Sequence, residues 1–307
     1  MYDLIIVGGG PAGVSAGVYA ARKRLKTLLI TESFGGQSVE SVGVENWIGT
    51  IKISGPELAK VLEEHLRAYA GDSVSIKTGA RVEKIKKTNE GFEVNVGSEN
   101  FKTKTVLIAS GSSRRKLDIP GAKKFENKGI TYCASCDGPL FSDQDTVVIG
   151  GGNAGLETAA QLMAYTKSVT ILIRGDSTKA DQATVERILA NPKVREITNA
   201  TPVEIRGDKF VKSILYKNSK TGEEEEIMAT GIFVEIGLIP ATNFVEELVS
   251  MNNFKQIKID PRTQRTETKG IWAAGDATDS LYHQNNIASG DAVRALEDIY
   301  LYIQTGK

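Results

Sequence analysis

Apolar and polar positions along this chain come in blocks. Residues 4–7 are continuously apolar and run into Gly8-Gly9-Gly10-Pro11-Ala12-Gly13; residues 14–22 then read as a helix, and residues 27–30 form a second apolar run that ends near Glu32. Short apolar runs joined through a helix predict parallel strands buried on both faces. A second helix is predicted from near Pro56, with Leu58, Val61, Leu62, Leu66 and Tyr69 at core-facing spacing. Residues 73–100 switch to short alternating segments such as Val82-Glu83-Lys84-Ile85 and Phe92-Glu93-Val94-Asn95-Val96, the pattern of a β-meander. Residues 106–109 follow as a buried strand before Ser110-Gly111.

The plan then repeats. Polar residues 114–121, ending in Pro120-Gly121, predict a linker. Beyond it come an apolar run at 147–149, the turn Gly150-Gly151-Gly152-Asn153-Ala154-Gly155, a helix, a strand at 169–173 and a meander with the turn Ser219-Lys220-Thr221-Gly222. Gly237-Leu238-Ile239-Pro240 predicts the return. Residues 271–274 run into Gly275-Asp276, and a helix from near Ile287 directs Val293, Leu296, Ile299, Tyr300 and Ile303 inward. The expected fold is α/β, with two Rossmann-like three-layer nucleotide-binding domains, the second inserted into the first. The expected boundaries are 1–114 and 243–307 for one domain and 115–242 for the other.

Composition narrows the class. A chain of 307 residues is long enough for two cores, and 40% hydrophobic with 25% charged residues is the mixture of folded domains rather than of a disordered chain. Lys plus Arg, 38, equals Asp plus Glu, 38, so no global charge draws the chain to nucleic acid or to an anionic membrane. No apolar run approaches the roughly 20 residues of a membrane helix, and the N-terminus opens on a strand rather than on a basic and apolar leader. A cytoplasmic protein is expected. Two cysteines, His65 and His283 are too few and too scattered for a zinc site, so no metal is expected.

Two stretches carry chemistry. A glycine turn between strand and helix, followed about 20 residues later by an acid at a strand end, is the full βαβ dinucleotide fingerprint. The glycines let backbone approach a pyrophosphate, the helix N-terminus supplies partial positive charge, and Glu32 accepts from ribose hydroxyls. The second stretch, Cys133-Ala134-Ser135-Cys136-Asp137, holds the only two cysteines. So short a separation closes too little chain for a disulfide to stabilise the fold much, which leaves a reversible redox pair. Asp137 suits a proton-transfer role or a turn before Gly138-Pro139.

These motifs, with Gly35-Gly36-Gln37 and Ala273-Ala274-Gly275-Asp276, resemble over essentially the whole chain the two-domain pyridine nucleotide-disulfide reductases of the low-molecular-weight thioredoxin reductase type. Within that group, Asp137-Gly138-Pro139-Leu140-Phe141, Lys179-Ala180-Asp181-Gln182 and Gly231-Ile232-Phe233-Val234 are most similar to the flavoprotein subunit of alkyl hydroperoxide reductase. That subunit has an extra N-terminal disulfide domain, which is expected to be replaced here by a separate thioredoxin-like or glutaredoxin-like protein.

The resemblance implies FAD in the first domain, held by Gly8, Gly10, Pro11, Ala12, Gly13, Glu32, Gly35, Gly36, Gln37, Asn46, Val82, Ala109, Gly111, Gly275, Asp276, His283, Gln284 and Asn285. The N-terminus of the last helix would face the pyrimidine edge of the flavin. NADPH or NADH would lie in the second domain at Gly150, Gly152, Asn153, Ala154, Gly155, Arg174 and Lys179. The implied activity passes electrons from NAD(P)H through FAD and the dithiol to a thioredoxin-, glutaredoxin- or peroxiredoxin-like protein disulfide. Cys136 would face the flavin, Cys133 would attack the partner, and Asp137 would move the proton. The resemblance implies a homodimer; the linkers near Pro120 and Pro240 lead to a further expectation, that the inserted domain rotates so that Cys133 to Cys136 meets the flavin in one step and the partner in another.

One stretch departs from the pattern. NADPH-selective members carry His-Arg-Arg at the end of the second strand of the second domain and another Arg shortly after, where this chain has Ile173-Arg174-Gly175 and Lys179. The acid expected for NADH is absent as well. The choice of donor stays open, and the alternatives are a ferredoxin-fed reductase, an oxygen-dependent dithiol oxidase, or a non-catalytic flavin redox sensor.

Overall fold

The computed structural model describes residues 1–41 and 43–306. The chain divides into two compact units, one made of Met1–Ser113 with Leu238–Lys307 and the other of Arg114–Gly237. The crossings run through the short strands Ser112–Arg114 and Leu238–Pro240. Residues 114–121 are not a free linker. Leu117 and Ile119 pack onto the core of the second unit, an apolar pair within a polar stretch that composition alone reads as connecting chain.

The first unit is built on a sheet in the order Val74–Lys77, Thr27–Ile30, Tyr2–Val7, Glu99–Ile108, Gly91–Val96, Lys84–Thr88, with Ile271–Ala273 also paired to Glu99–Ile108. The pairs of the first four strands and of Ile271–Ala273 are parallel, and the meander pairs are antiparallel. Side-chain alternation explains why the central strands are apolar throughout: Leu4 and Ile6 point into one core layer, Ile5 and Val7 into the other. The first layer lies under the helices Pro11–Arg22, Gly55–Ala70 and Asn285–Thr305. A fully buried aliphatic side chain contributes about 1.5–3 kcal/mol, so a strand buried on both faces anchors the unit.

One periodicity reading needs correction, and a second holds with a half-buried margin. In Gly55–Ala70 the buried positions include Leu58, Leu62 and Leu66, while Val61 and Tyr69 are exposed. Leu58, Leu62 and Leu66 recur every four residues and form one narrow stripe against the sheet, whereas Val61 and Tyr69 fall outside it. In the last helix Leu296 and Ile299 are fully buried, with Val293, Tyr300 and Ile303 at its half-buried margin.

The second unit repeats the scheme on a smaller scale. Its parallel sheet runs Val194–Ile197, Ser168–Leu172, Asp145–Ile149, Gly231–Val234, Ile130–Thr131, with an antiparallel three-stranded sheet of Ala200–Gly207, Val211–Asn218 and Glu224–Met228. Val147 and Ile149 face the layer shared with the antiparallel sheet, and Val148 faces the helices. Among the described residues no helix is long and apolar enough to cross a membrane.

Candidate functional site

In the first unit the glycine turn is a packing device before it is a binding device. Gly8 has φ +121°, and a Cβ there would stand 2.1 Å from the Ala109 carbonyl oxygen; a Cβ on Gly13 would stand 1.9 Å from the Gly8 oxygen. Both contacts force glycine and draw the helix Pro11–Arg22 tightly against the strand ends. Gly10 differs, since a Cβ on it would meet only the Gly36 backbone, at 3.8 Å or beyond. The helix that follows has Gly10 as its N-cap, no side-chain cap, Pro11 in its first turn and no acid there. Its first amides are left for a ligand, and an anion is favoured in front of them.

That helix end opens into a cleft. Gly8, Gly10, Pro11, Ala12, Glu32, Gly36, Gln37, Val82, Ala109, Gly111, Gly275, Asp276 and Asn285 all line it. The remaining residues expected to hold FAD do not. Gly13 and Gly35 pack behind the wall: a Cβ on Gly35, which has φ +91°, would press on Ala59 and Val39. Asn46 donates from Nδ2 to Gln284 Oε1 at 3.0 Å, and Asn286 donates from Nδ2 to the Asn46 carbonyl at 2.7 Å, so this pairing ties the segment before the second helix to the start of the last one. His283 has a buried Nε2 with no hydrogen-bond partner among the described residues and stands outside the lining. Gly13, Gly35, Asn46, His283 and Gln284 stand apart from the lining for a shared reason: proximity in sequence to a lining residue does not turn a residue toward the cleft.

Several lining residues carry no local motif. Ser38, Ser112, Arg81 and Ala288 reach the cleft because the fold brings four distant segments together. Gln37 Nε2 donates to Ser112 Oγ at 3.2 Å and to Asp276 Oδ2 at 3.3 Å, and Ser38 Oγ donates to Asn285 Oδ1 at 2.9 Å. These bonds clamp the two halves of the wall. The last helix, like the first, has no side-chain cap and no acid in its first turn. The cleft fits a dinucleotide such as FAD: the Gly10–Gly36 floor carries no side chain, two uncapped helix N-termini border it and would favour anionic groups, and Glu32 and Asp276 supply acceptors.

In the second unit Gly150, at φ +138°, and Gly155 repeat the tight packing: their Cβ positions fall 2.2 Å from the Glu235 oxygen and 2.0 Å from the Gly150 oxygen. Nothing lies within 4 Å of a Cβ on Gly152. The helix Asn153–Leu162 begins there, again with no side-chain cap and no acid in its first turn. Asn153 Oδ1 accepts from the Asp181 amide at 3.0 Å. Ile173 is buried, and its Cγ2 would lie 2.7 Å from a Cβ on Gly151, so this side chain packs the turn and does not reach outward. Arg174 and Lys179 are exposed, and among the described residues their side chains have no partner.

Glu235, at the end of Gly231–Val234, carries no motif that marks it in the sequence. Its side chain is 8% exposed, accepts from Arg114 Nη1 at 3.2 Å and from Thr158 Oγ1 at 2.9 Å, and binds the incoming chain to the helix after the glycine turn. Burial pushes the Glu235 carboxyl up, against the opposing pull of Arg114 and Thr158.

Cys133 and Cys136 form a disulfide with Cα atoms 5.3 Å apart. Cys133 is the N-cap of the short helix Ala134–Asp137, and its Sγ accepts the Cys136 amide at 3.2 Å. This helix packs on Asn153–Leu162, and Ser135 Oγ donates to Gln161 Oε1 at 2.6 Å. Burial pushes the Asp137 carboxyl up, while a hydrogen bond from Thr131 Oγ1 to Oδ2 pulls it down.

A paired set of glycine turns with a redox dithiol on the second unit can be compared with known proteins. The sequence model of the pyridine nucleotide-disulphide oxidoreductases matches residues 2–292. The chain belongs to that family. Within it the chain is thioredoxin reductase-like, and proteins of this kind use FAD and NAD(P)H. The crystal structure of thioredoxin reductase from Streptococcus pyogenes superimposes with a TM-score of 0.91 at 35% identity, covering 99% of both chains. The Bacillus subtilis protein named NADH dehydrogenase is 40% identical over 305 residues, which is 98% of this chain and 58% of the relative. One alkyl hydroperoxide reductase subunit, from Staphylococcus epidermidis, is 40% identical over 303 residues, 98% of this chain and 59% of the relative. The chain thus spans somewhat under two thirds of these curated relatives.

Proposed function

We propose that the chain is an FAD-dependent NAD(P)H:disulfide oxidoreductase of the thioredoxin reductase type. It would reduce a thioredoxin-, glutaredoxin- or peroxiredoxin-like protein disulfide in the cytoplasm, as a homodimer. The observation that carries this reading is the disulfide whose Cys133 sulfur accepts a backbone amide beside a half-buried acid. The names of its relatives, a thioredoxin reductase and a subunit of an alkyl hydroperoxide reductase, support a disulfide-bearing partner.

The residues divide the work. Gly8, Gly10, Ala12, Glu32, Gly36, Gln37 and Asp276 would hold FAD, which when bound supplies a two-electron carrier reducible by a pyridine nucleotide. Gly150, Gly152 and the first amides of Asn153–Leu162 would hold the pyrophosphate of the donor, with Arg174 and Lys179 as the nearby cations. In the reduced dithiol, the Cys136 amide favours negative charge on the Cys133 sulfur, which makes Cys133 the attacking thiolate. Cys133 sulfur bonds to one partner sulfur as the partner S–S bond breaks, and the released thiolate takes a proton. Cys136 then attacks Cys133 and restores the S–S bond, releasing the second partner thiolate. Asp137, whose proton affinity burial raises, would be the group that gives up the proton.

Two measurements test the reading. Anaerobic titration with NADPH and with NADH should bleach the visible flavin absorbance with at least one of them; bleaching by neither removes the nicotinamide donor. Mixing dithiothreitol-reduced variants with oxidised thioredoxin and oxidised glutaredoxin should give a mixed disulfide with Cys136→Ser and none with Cys133→Ser. The reverse pattern exchanges the two sulfur roles, and no adduct with either variant removes disulfide exchange as the activity.

A further inference from the structure

Thr131 closes the strand Ile130–Thr131, where it pairs with Phe233 of Gly231–Val234, and it is 6% exposed. Its hydroxyl touches both sides of the dithiol turn. The Cys133 amide donates to Thr131 Oγ1 at 3.3 Å, and Thr131 Oγ1 donates to Asp137 Oδ2. An amide has only a hydrogen to offer, so the hydroxyl accepts from Cys133 and keeps its own hydrogen for the carboxyl. Oδ2 of Asp137 accepts that hydrogen, and Oδ1 is the oxygen Thr131 leaves unengaged.

We propose that Thr131 is a positioning residue for disulfide exchange, holding the Asp137 carboxyl and the Cys133 amide in one fixed relation so that the Oδ1 proton is aligned with the exchanging sulfurs. This rests on the reading of Asp137 as the proton donor given above. In this proposal Thr131 acts through Asp137. Its anchoring is independent of the dithiol turn, because the strand pairing holds its backbone while its hydroxyl reaches forward. The elements packed on Ala134–Asp137 bring little competing charge: Asn153–Leu162 carries Glu157, while Gly138–Phe141 and Ile130–Thr131 carry none. Tyr132 and the thiols of Cys133 and Cys136, once reduced, are further titrating groups at the turn. The Thr131 hydroxyl donates the side-chain hydrogen bond that lowers the proton affinity of Asp137.

The sign of the consequence follows from the two opposed influences on Asp137. Burial raises its affinity for a proton and the Thr131 hydrogen bond lowers it, so removing the hydroxyl leaves burial unopposed. A proton donor is lost as pH rises through its pKa, and that loss moves to higher pH without the hydroxyl. Misalignment acts separately, lowering the rate at every pH.

The test uses the FAD-loaded protein with its thiols pre-reduced. Single-turnover exchange with oxidised thioredoxin, and with 5,5′-dithiobis(2-nitrobenzoate) as a partner-independent disulfide, is followed from pH 5 to pH 9 for Thr131→Val, Thr131→Ser, Thr131→Ala and Asp137→Asn. Thr131→Val should slow exchange about tenfold, a fraction of the 10²–10⁴ that an aligned proton donor supplies, and should move the high-pH fall in rate upward. Thr131→Ser, which keeps the hydroxyl, should restore both. Flavin content and the melting temperature separate a folding defect from a positioning effect, and Thr131→Ala serves if the valine variant does not fold. The proposal is overturned if the variants without the hydroxyl keep the native rate and profile, or if serine shifts the profile as far as valine. If Asp137→Asn keeps the native profile, the proton-donor reading itself fails. If Asp137→Asn abolishes the high-pH fall while Thr131→Val leaves it in place, only the positioning role fails.

Discussion

Replacing Gly10 with alanine separates what the first glycine turn does for folding from what it does for binding. Gly10 has φ −75° and ψ −174°, an extended conformation open to any residue, and a methyl group there would touch nothing closer than 3.8 Å. Alanine is a poorer N-cap than glycine by about 0.5–1 kcal/mol, and the reduced freedom of the unfolded chain offsets about 0.4–1 kcal/mol. The net change in stability is within about 1 kcal/mol, a shift in melting temperature of no more than about 2–4 °C for a unit of this size. The methyl group nevertheless stands on the bare floor between Gly10 and Gly36, where a pyrophosphate must approach backbone amides. Losing one charge-assisted hydrogen bond costs about 1.5–3 kcal/mol, which is tenfold or more in the dissociation constant of FAD. Gly13→Ala should behave oppositely: its methyl would overlap the Gly8 carbonyl at 1.9 Å, so the unit must open or fail to fold. The assay compares apoprotein melting with flavin retained after gel filtration. Native flavin content in a well-folded Gly10→Ala protein would refute the assignment of this floor to FAD.

Further perturbations reach the second unit. Because burial raises the Glu235 carboxyl above its usual 4.5, the folded state holds its proton more tightly than the unfolded chain does; the stability contribution of this group is complete below 4.5 and declines as pH rises through the raised folded value. Glu235→Gln should therefore melt with a flatter pH dependence than the native protein above pH 4.5, and identical profiles would show that burial does not perturb the acid. Asp181→Ala removes the acceptor for the Thr184 amide, 3.1 Å away, at the start of Gln182–Leu189, and should cost about 1 kcal/mol by denaturant unfolding. Arg174→Ala and Lys179→Ala should weaken NADPH more than NADH if these exposed cations meet the 2′-phosphate, with each contact contributing about 1.5–3 kcal/mol; equal Michaelis constants for the two donors in native and variant proteins would place the phosphate elsewhere.

The local motifs were legible because their physics is local. Gly8, Gly13, Gly150 and Gly155 are dictated by close backbone approaches around a strand, turn and helix, so their spacing carries the requirement. The cysteine pair is legible for the same reason: four consecutive residues define the turn that closes it. The continuous apolar runs at residues 4–7 and 147–149 also announced sheets covered on both sides, since no other arrangement of a strand buries both alternating faces.

What only the tertiary structure decided lies in contacts between segments remote in sequence. Gln37 and Asp276 are 239 positions apart, Ser38 and Asn285 are 247, and no spacing rule couples either pair. The same holds for the part-buried triad of Arg114, Thr158 and Glu235, where each residue alone reads as a surface polar group. Orientation was equally out of reach: Val61 shares its apolar character with Leu62, and only the direction of the sheet decides which of them is buried. Sequence thus determined the two turns and the dithiol. The fold selected, through long-range packing, which neighbours line the cleft.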